Sequence, residues 1–126
     1  MATPEGTKVP PDWIQATKTR FPTLFRDIHP FNFDCGPGWS GIVTGLCENL
    51  ATLALPELRV AQIKEKFGRL RFYVDGGNHE VEALIEQAES ASGRTCECCG
   101  GVGRQYIDGW ILTLCESCQA ERKTKA

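Results

Sequence analysis

Four cysteines near the C-terminus carry the clearest chemistry in this chain. Cys96 and Cys99 form one C-x-x-C pair with Gly100 directly behind it, and Cys115 and Cys118 form a second pair after fifteen intervening residues. A C-x-x-C turn offers two thiolates from one tight knuckle, and a following glycine lets the backbone curl so that its N–H groups point at sulfur. Two such knuckles supply four soft ligands at tetrahedral corners. The spacing therefore predicts one structural Zn²⁺ ion held by Cys96, Cys99, Cys115 and Cys118. Four thiolates close the coordination shell to water and substrate, so the predicted role is structural and no catalytic residue is assigned. Cys98 lies inside the first knuckle and offers an alternative fourth thiol. The separation of Cys96 from Cys99, and Gly100 behind them, favour Cys99.

The elements that must position these thiols can be read from the same stretch. Gln105–Asp108 and Trp110–Leu114 read as two short strands around Asp108-Gly109, a hairpin turn signal. Knuckle, hairpin and knuckle make a zinc ribbon over residues 94–119. A module this small buries too little surface to fold alone, and zinc would supply on the order of 10 kcal/mol at neutral pH.

The preceding residues, 11–93, read as an α+β core in which helices pack on a β-hairpin. Pro11-Asp12 opens a helix that Phe21-Pro22 ends, with Asp12 as a candidate N-cap. A further turn covers Thr23–Asp27. The aromatics of the loop from His29 to Gly38 are expected to cover one end of the core. Trp39, Ile42, Val43, Leu46, Cys47, Leu50 and Leu53 recur at the spacing of one helix face, and Pro56 bars continuation past about Ala54. Another helix is predicted from His79 to Ser92, ended by Gly93, with Glu80, Glu82, Glu86 and Glu89 outward.

Between these helices, Leu58–Lys66 and Arg69–Val74 read as a hairpin around Phe67-Gly68. That turn fixes the register. Lys66 faces Arg69, Lys64 faces Arg71 and Gln62 faces Tyr73 on one side; Glu65 meets Leu70, Ile63 meets Phe72 and Ala61 meets Val74 on the other. One face is then apolar apart from Glu65, and the other carries Lys64, Lys66, Arg69, Arg71 and Tyr73. Like charges directly opposite each other are unfavourable, which suggests compensation by an anion: a phosphate, a nucleic acid or an acidic partner surface. The competing reading is a solvated face, neutralised by the acidic helix beside it. Glu65 is either a structural carboxylate or a general base, and no second catalytic group is found to accompany it.

The 126 residues have an ordinary composition, with 24% charged and 41% hydrophobic residues and a formal net charge of −2. There is no global basic pull toward nucleic acid. Seven cysteines, an odd number with four at metal spacing, oppose a disulfide scaffold. The N-terminal MATPEGTKVPPDW has no apolar signal-peptide core, and the expected compartment is a reducing cytoplasm. Residues 1–10 read as a flexible arm and 120–126 as a charged, fraying tail.

The order Gly38-Trp39, KEKFGRLRFY (Lys64–Tyr73), AES (Ala88–Ser90), TCECCG (Thr95–Gly100), Gly109-Trp110 and TLCESC (Thr113–Cys118) resembles a family of small proteins carried by bacteriophages and prophages. The resemblance spans roughly residues 34–119, and the CECCG knuckle departs from it in having Cys98 at a variable position. The family has no settled biochemical function, so no catalytic residues carry over. The resemblance implies a host bacterial cytoplasm. The expected function is a non-enzymatic binding protein that docks through Lys64, Lys66, Arg69, Arg71 and Tyr73 on a host protein or nucleoprotein complex, such as a defence system, and modulates or inhibits it. The alternatives are a nucleic-acid-binding accessory protein using hairpin and ribbon, and a small-ligand-binding protein or enzyme with a pocket near Glu65.

Overall fold

A computed structural model describes residues 9–107 and 109–125. The chain is a mixed α+β protein. Its helices are α1 (Trp13–Arg20), α2 (Ser40–Thr52), α3 (His79–Ser92) and α4 (Glu116–Lys125). Its strands are β1 (Phe33–Asp34), β2 (Arg59–Lys66), β3 (Arg69–Asp75), β4 (Arg104–Tyr106) and β5 (Leu112–Leu114). One sheet has the order β1-β2-β3 and a second pairs β4 with β5. Among the described residues no helix is long and apolar enough to cross a membrane.

The β2–β3 hairpin turns at Phe67 and Gly68, both in the left-handed region with φ of 56° and 79°. This is the geometry that lets a two-residue turn match the strand twist. It sets the predicted pairs Lys66–Arg69, Glu65–Leu70, Lys64–Arg71, Ile63–Phe72 and Gln62–Tyr73. The predicted Ala61–Val74 pair does not form. A bulge at Ala61 shifts the register, so that Val74 pairs with Val60 instead. The extra residue allows both Val60 and Ile63 to be fully buried, which strict alternation forbids.

The loop from His29 to Gly38 differs most from its expected form. Phe33 and Asp34 add a short parallel strand to β2, opposite Ile63 and Lys64. Two residues are too few to show alternation, so no sequence period announces this strand. Only Phe33 of the loop's aromatics is core; it packs edge-on to Trp13 and stacked on Phe25, with centroids 5.5 and 5.6 Å apart. Phe31 is 85% exposed, with its ring tilted against His29 rather than lying in the core.

The main core joins Val43, Leu46, Cys47 and Leu50 of α2 to Val60, Ile63, Leu70 and Phe72 of the sheet and Val81 of α3. Helix α3 has the predicted limits, and the Asn78 side chain caps it by accepting from Val81 N–H at 3.0 Å. Helix α1 begins two residues later than expected. The Asp12 side chain makes no capping hydrogen bond; its carbonyl accepts from Ala16 N–H instead. Residues 1–8 of the predicted arm lie outside the described residues, whereas Val9 packs partly buried against the core.

Helix α3 also protects the free edge of β3. Leu70 N–H donates to Ser92 Oγ and Phe72 N–H to Glu89 Oε2, each at 2.9 Å. These two donors point away from β2 and would otherwise offer a template for another strand. Glu89 therefore does backbone work rather than facing solvent, and Ser92 is fully buried in the same task. The expected fraying tail is instead helical through Lys125. Its start is fixed by the second knuckle, where Gln119 N–H donates to Cys115 O at 3.0 Å.

Candidate metal centre

The four cysteines singled out by spacing meet in space. The Sγ atoms of Cys96, Cys99, Cys115 and Cys118 all lie within 4.8 Å of one another, and those of Cys99 and Cys115 are 3.7 Å apart. A tetrahedral metal with sulfur ligands at about 2.3 Å needs sulfur–sulfur edges of about 3.8 Å. The cluster fits a metal ion with little adjustment. Cys98 is exposed and outside the cluster, so Cys99 is the fourth thiol.

Backbone N–H groups surround the sulfurs in the manner of a knuckle. Cys99 N–H points at Cys96 Sγ at 3.5 Å, Gly101 N–H at Cys99 Sγ at 3.5 Å, and Cys118 N–H at Cys115 Sγ at 3.4 Å. Gly100 makes the first knuckle possible with a φ of 86°. These donors favour thiolate. Burial pushes Cys96 up, but the N–H groups of Cys115, Cys99 and Cys98 and the Cys118 thiol outweigh it and bring the group down to about 7. Cys118 is pushed up, first by burial and then by its thiol neighbours. Four such groups cannot ionise together without a cation among them.

Between the knuckles, β4 and β5 pair Arg104 with Leu114, Gln105 with Thr113 and Tyr106 with Leu112. The strands are shorter than predicted, β4 ending at Tyr106 and β5 beginning at Leu112; the predicted turn residue Asp108 lies outside the described residues. Ile107 and Trp110, between the two strands, are 74% and 72% exposed, so the expected strand positions have no partner to pack on.

The first knuckle is also where the rest of the chain is fastened. Gly38 N–H donates to Glu97 O at 2.7 Å, Gly36 N–H to Glu97 Oε2 at 2.8 Å, and Trp39 Nε1 to Thr95 O at 2.8 Å. Trp39 is fully buried. The hairpin tip docks on the other side. Thr113 Oγ1 donates to Gly68 O, and Gln105 Nε2 donates to Phe67 O at 3.2 Å. Glu65, the inward carboxylate of uncertain role, closes the same turn by accepting from Gly68 N–H at 2.8 Å. Sequence reasoning did not find Glu97, Gln105 and Thr113 as anchoring residues. Thr113 is a buried polar side chain within a short strand, and only its partner, remote in sequence, reveals its task.

The three cysteines outside the cluster differ in exposure. Cys35 and Cys47 are buried and both pushed up to about 12, chiefly by burial; Glu97 and Asp34 add to the rise at Cys35. Cys98 is exposed. In the folded, metal-loaded chain a thiol-alkylating reagent should therefore modify Cys98 first, with Cys35 and Cys47 reacting only on unfolding. Peptide mass mapping over a time course checks this, and equal rates at Cys35 and Cys98 would contradict the buried placement.

The predicted recognition residues do share one face. Lys64 stands opposite Arg71, Lys66 opposite Arg69 and Gln62 opposite Tyr73, all on the side away from the core. Lys66 is exposed and Tyr73 is 45% exposed. Among the described residues none of the four cations makes an ion pair; the pairs found are Arg20–Glu48 and Arg59–Asp27. The neutralisation expected from the acidic helix does not occur by direct ion pairing. The Arg71 Nε atom is buried without a hydrogen-bond partner. Asp34 stands beside Lys64 in the β1–β2 register and puts one acid at the margin of the face.

No protein-family model, curated protein or solved structure matches the chain.

Proposed function

We propose that this chain is a non-enzymatic zinc-ribbon protein that recognises an acidic partner surface through the outer face of the β2–β3 hairpin. Four sulfur donors without oxygen or nitrogen ligands favour a soft tetrahedral ion, and zinc is the one that needs no further chemistry. Zinc bound there would hold the module together and would bind no substrate. The resemblance to phage-borne proteins makes the partner a host protein or nucleoprotein complex, such as a defence system, that the chain modulates or inhibits.

The observation that carries the reading is the register of the hairpin. It sets Lys64 against Arg71 and Lys66 against Arg69, with no ion-paired carboxylate among the described residues. Like charges directly opposite are destabilising, and an anionic surface would remove that repulsion and occupy their donors. Exposed Tyr73 beside them adds an aromatic contact of the kind enriched in interfaces.

Reversing Lys64 and Arg71 to Glu should abolish retention of the partner by the zinc-loaded protein in host lysate, with the far-UV spectrum unchanged. Retention should survive nuclease treatment of the lysate. Partner binding by the reversed variant at ordinary salt would show that the face is wrong. Loss of retention on nuclease treatment would instead favour direct nucleic-acid binding, with the steep salt dependence that phosphate contacts impose.

A further inference from the structure

A second concave surface lies where the core meets the cysteine module. Arg69 from the start of β3, Ser90 from the end of α3, Arg94 just beyond that helix, and Arg104 and Gln105 from β4 line a cleft of about 500 Å³. Three guanidinium-bearing residues from three parts of the chain thus share one concavity. No carboxylate lines it, and none of the three arginines makes an ion pair among the described residues.

Two of the guanidinium groups are held by neighbouring side chains. Arg94 Nη1 donates to Ser90 Oγ at 3.2 Å, which holds the guanidinium while leaving the Ser90 hydroxyl proton free to donate. The Arg104 guanidinium lies 4.4 Å from the centre of the Tyr106 ring, which orients its planar fork. Gly93 lies between Arg69 and Arg94 in the lining, where an added Cβ would stand 3.7 Å from Arg69 Nε. The absence of a side chain keeps that part of the lining open. Arginine forks pair two donors with two oxygens of one phosphate, so three arginines lining one concavity without an acid suit a multiply charged oxyanion. The volume lies within the ~300–1,000 Å³ typical of small-molecule sites.

We infer that this cleft binds the phosphate group of a small phosphorylated molecule, through Arg69, Arg94 and Arg104 with Ser90 as a further donor. The site is separate from the Lys64–Arg71 face and shares only Arg69 with it, so either reading can fail alone.

The test uses the zinc-loaded full chain titrated with inorganic pyrophosphate at constant ionic strength, following the arginine Nε–H resonances by NMR. The signals of Arg69, Arg94 and Arg104 should shift and saturate, and sodium chloride at matched ionic strength should not reproduce this. Arg94→Glu with Arg104→Glu should weaken pyrophosphate binding roughly tenfold or more, since charge-assisted hydrogen bonds are removed. Arg94→Gln with Arg104→Gln should act in the same direction; both positions are exposed, so the amide spectrum should report an intact fold. Lys64→Glu with Arg71→Glu should leave the affinity within about twofold. The inference is overturned if no saturable shift occurs, or if the Arg94/Arg104 variants bind as well as the parent. A parallel titration with oligothymidylate separates the sources of phosphate: tighter binding than pyrophosphate, with a steep salt dependence, would assign the cleft to a nucleic-acid backbone and overturn the small-molecule reading.

Discussion

Cys99→Ser should strip the metal from the chain and unfold the module that follows Arg94, while Cys98→Ser should do neither. The two positions are adjacent, yet the Cys99 sulfur lies in the four-thiol cluster and Cys98 is exposed outside it. Moving Cys98 into the cluster would require the knuckle to rewind. The N–H of Gly101, which points at the Cys99 sulfur, and the left-handed Gly100 both define the present turn. In small zinc modules a structural ion contributes roughly 10–16 kcal/mol at neutral pH, and zinc bound as proposed would supply the folding energy of this module in the same way. Its loss would reach the core. Glu97 would no longer be held under Gly36 and Gly38, Trp39 would lose its acceptor on Thr95, and the hairpin tip would lose Thr113 and Gln105. Metal content per chain after gel filtration, together with tryptophan fluorescence, measures the effect. One metal ion retained per chain in Cys99→Ser, or its loss in Cys98→Ser, would refute the assignment.

Gly38→Ala should be strongly destabilising. A Cβ at this position would stand 2.1 Å from Cys96 O and 2.5 Å from the Glu97 carbonyl carbon, both backbone atoms of the metal knuckle. No rotamer relieves a clash with backbone, so the loop must withdraw. Withdrawal breaks the Gly38 N–H bond to Glu97 O and pulls on Trp39, which is wholly buried next to it. Overpacking of this kind costs about 1–3 kcal/mol, and the lost buried hydrogen bond adds about 1–3 kcal/mol. Gly41→Ala is the matched control. It lies in α2 with nothing within 4 Å of an added Cβ, so it should stabilise by about 0.5–1 kcal/mol through helix propensity alone. Urea denaturation of the two variants measures the contrast. Equal midpoints would mean that the loop does not press on the knuckle as described.

Gly38 joins two short motifs that lie far apart in the chain. Gly38-Trp39 and the Cys96-Glu97 knuckle are two sides of one contact, with glycine required by the approach and tryptophan filling the core behind it. Lys64–Tyr73 is tied to the same module at its turn, where Gly68 accepts from Thr113 and donates to Glu65. The metal site would thereby set the position of the proposed recognition face, even though none of its thiols belongs to that face.

What the sequence settled by itself were features with a local physical cause. The spacing of Cys96, Cys99, Cys115 and Cys118 named the cluster because a knuckle is built within a few residues. The turn at Phe67-Gly68 fixed five of the cross-strand pairs because a two-residue turn leaves little freedom of register. The apolar period of α2 and the limits of α3 were likewise local. The tertiary structure alone decided what depends on residues meeting across the chain. It placed β1 beside β2, moved Val74 onto Val60 through the bulge, and put Glu89 and Ser92 on the edge of β3. It distinguished exposed Cys98 from its clustered neighbour Cys99 and brought Arg69, Arg94 and Arg104 into one cleft. Such contacts join segments tens of residues apart through single side chains, and a lone side chain leaves no period or turn signal by which its distant partner could be read.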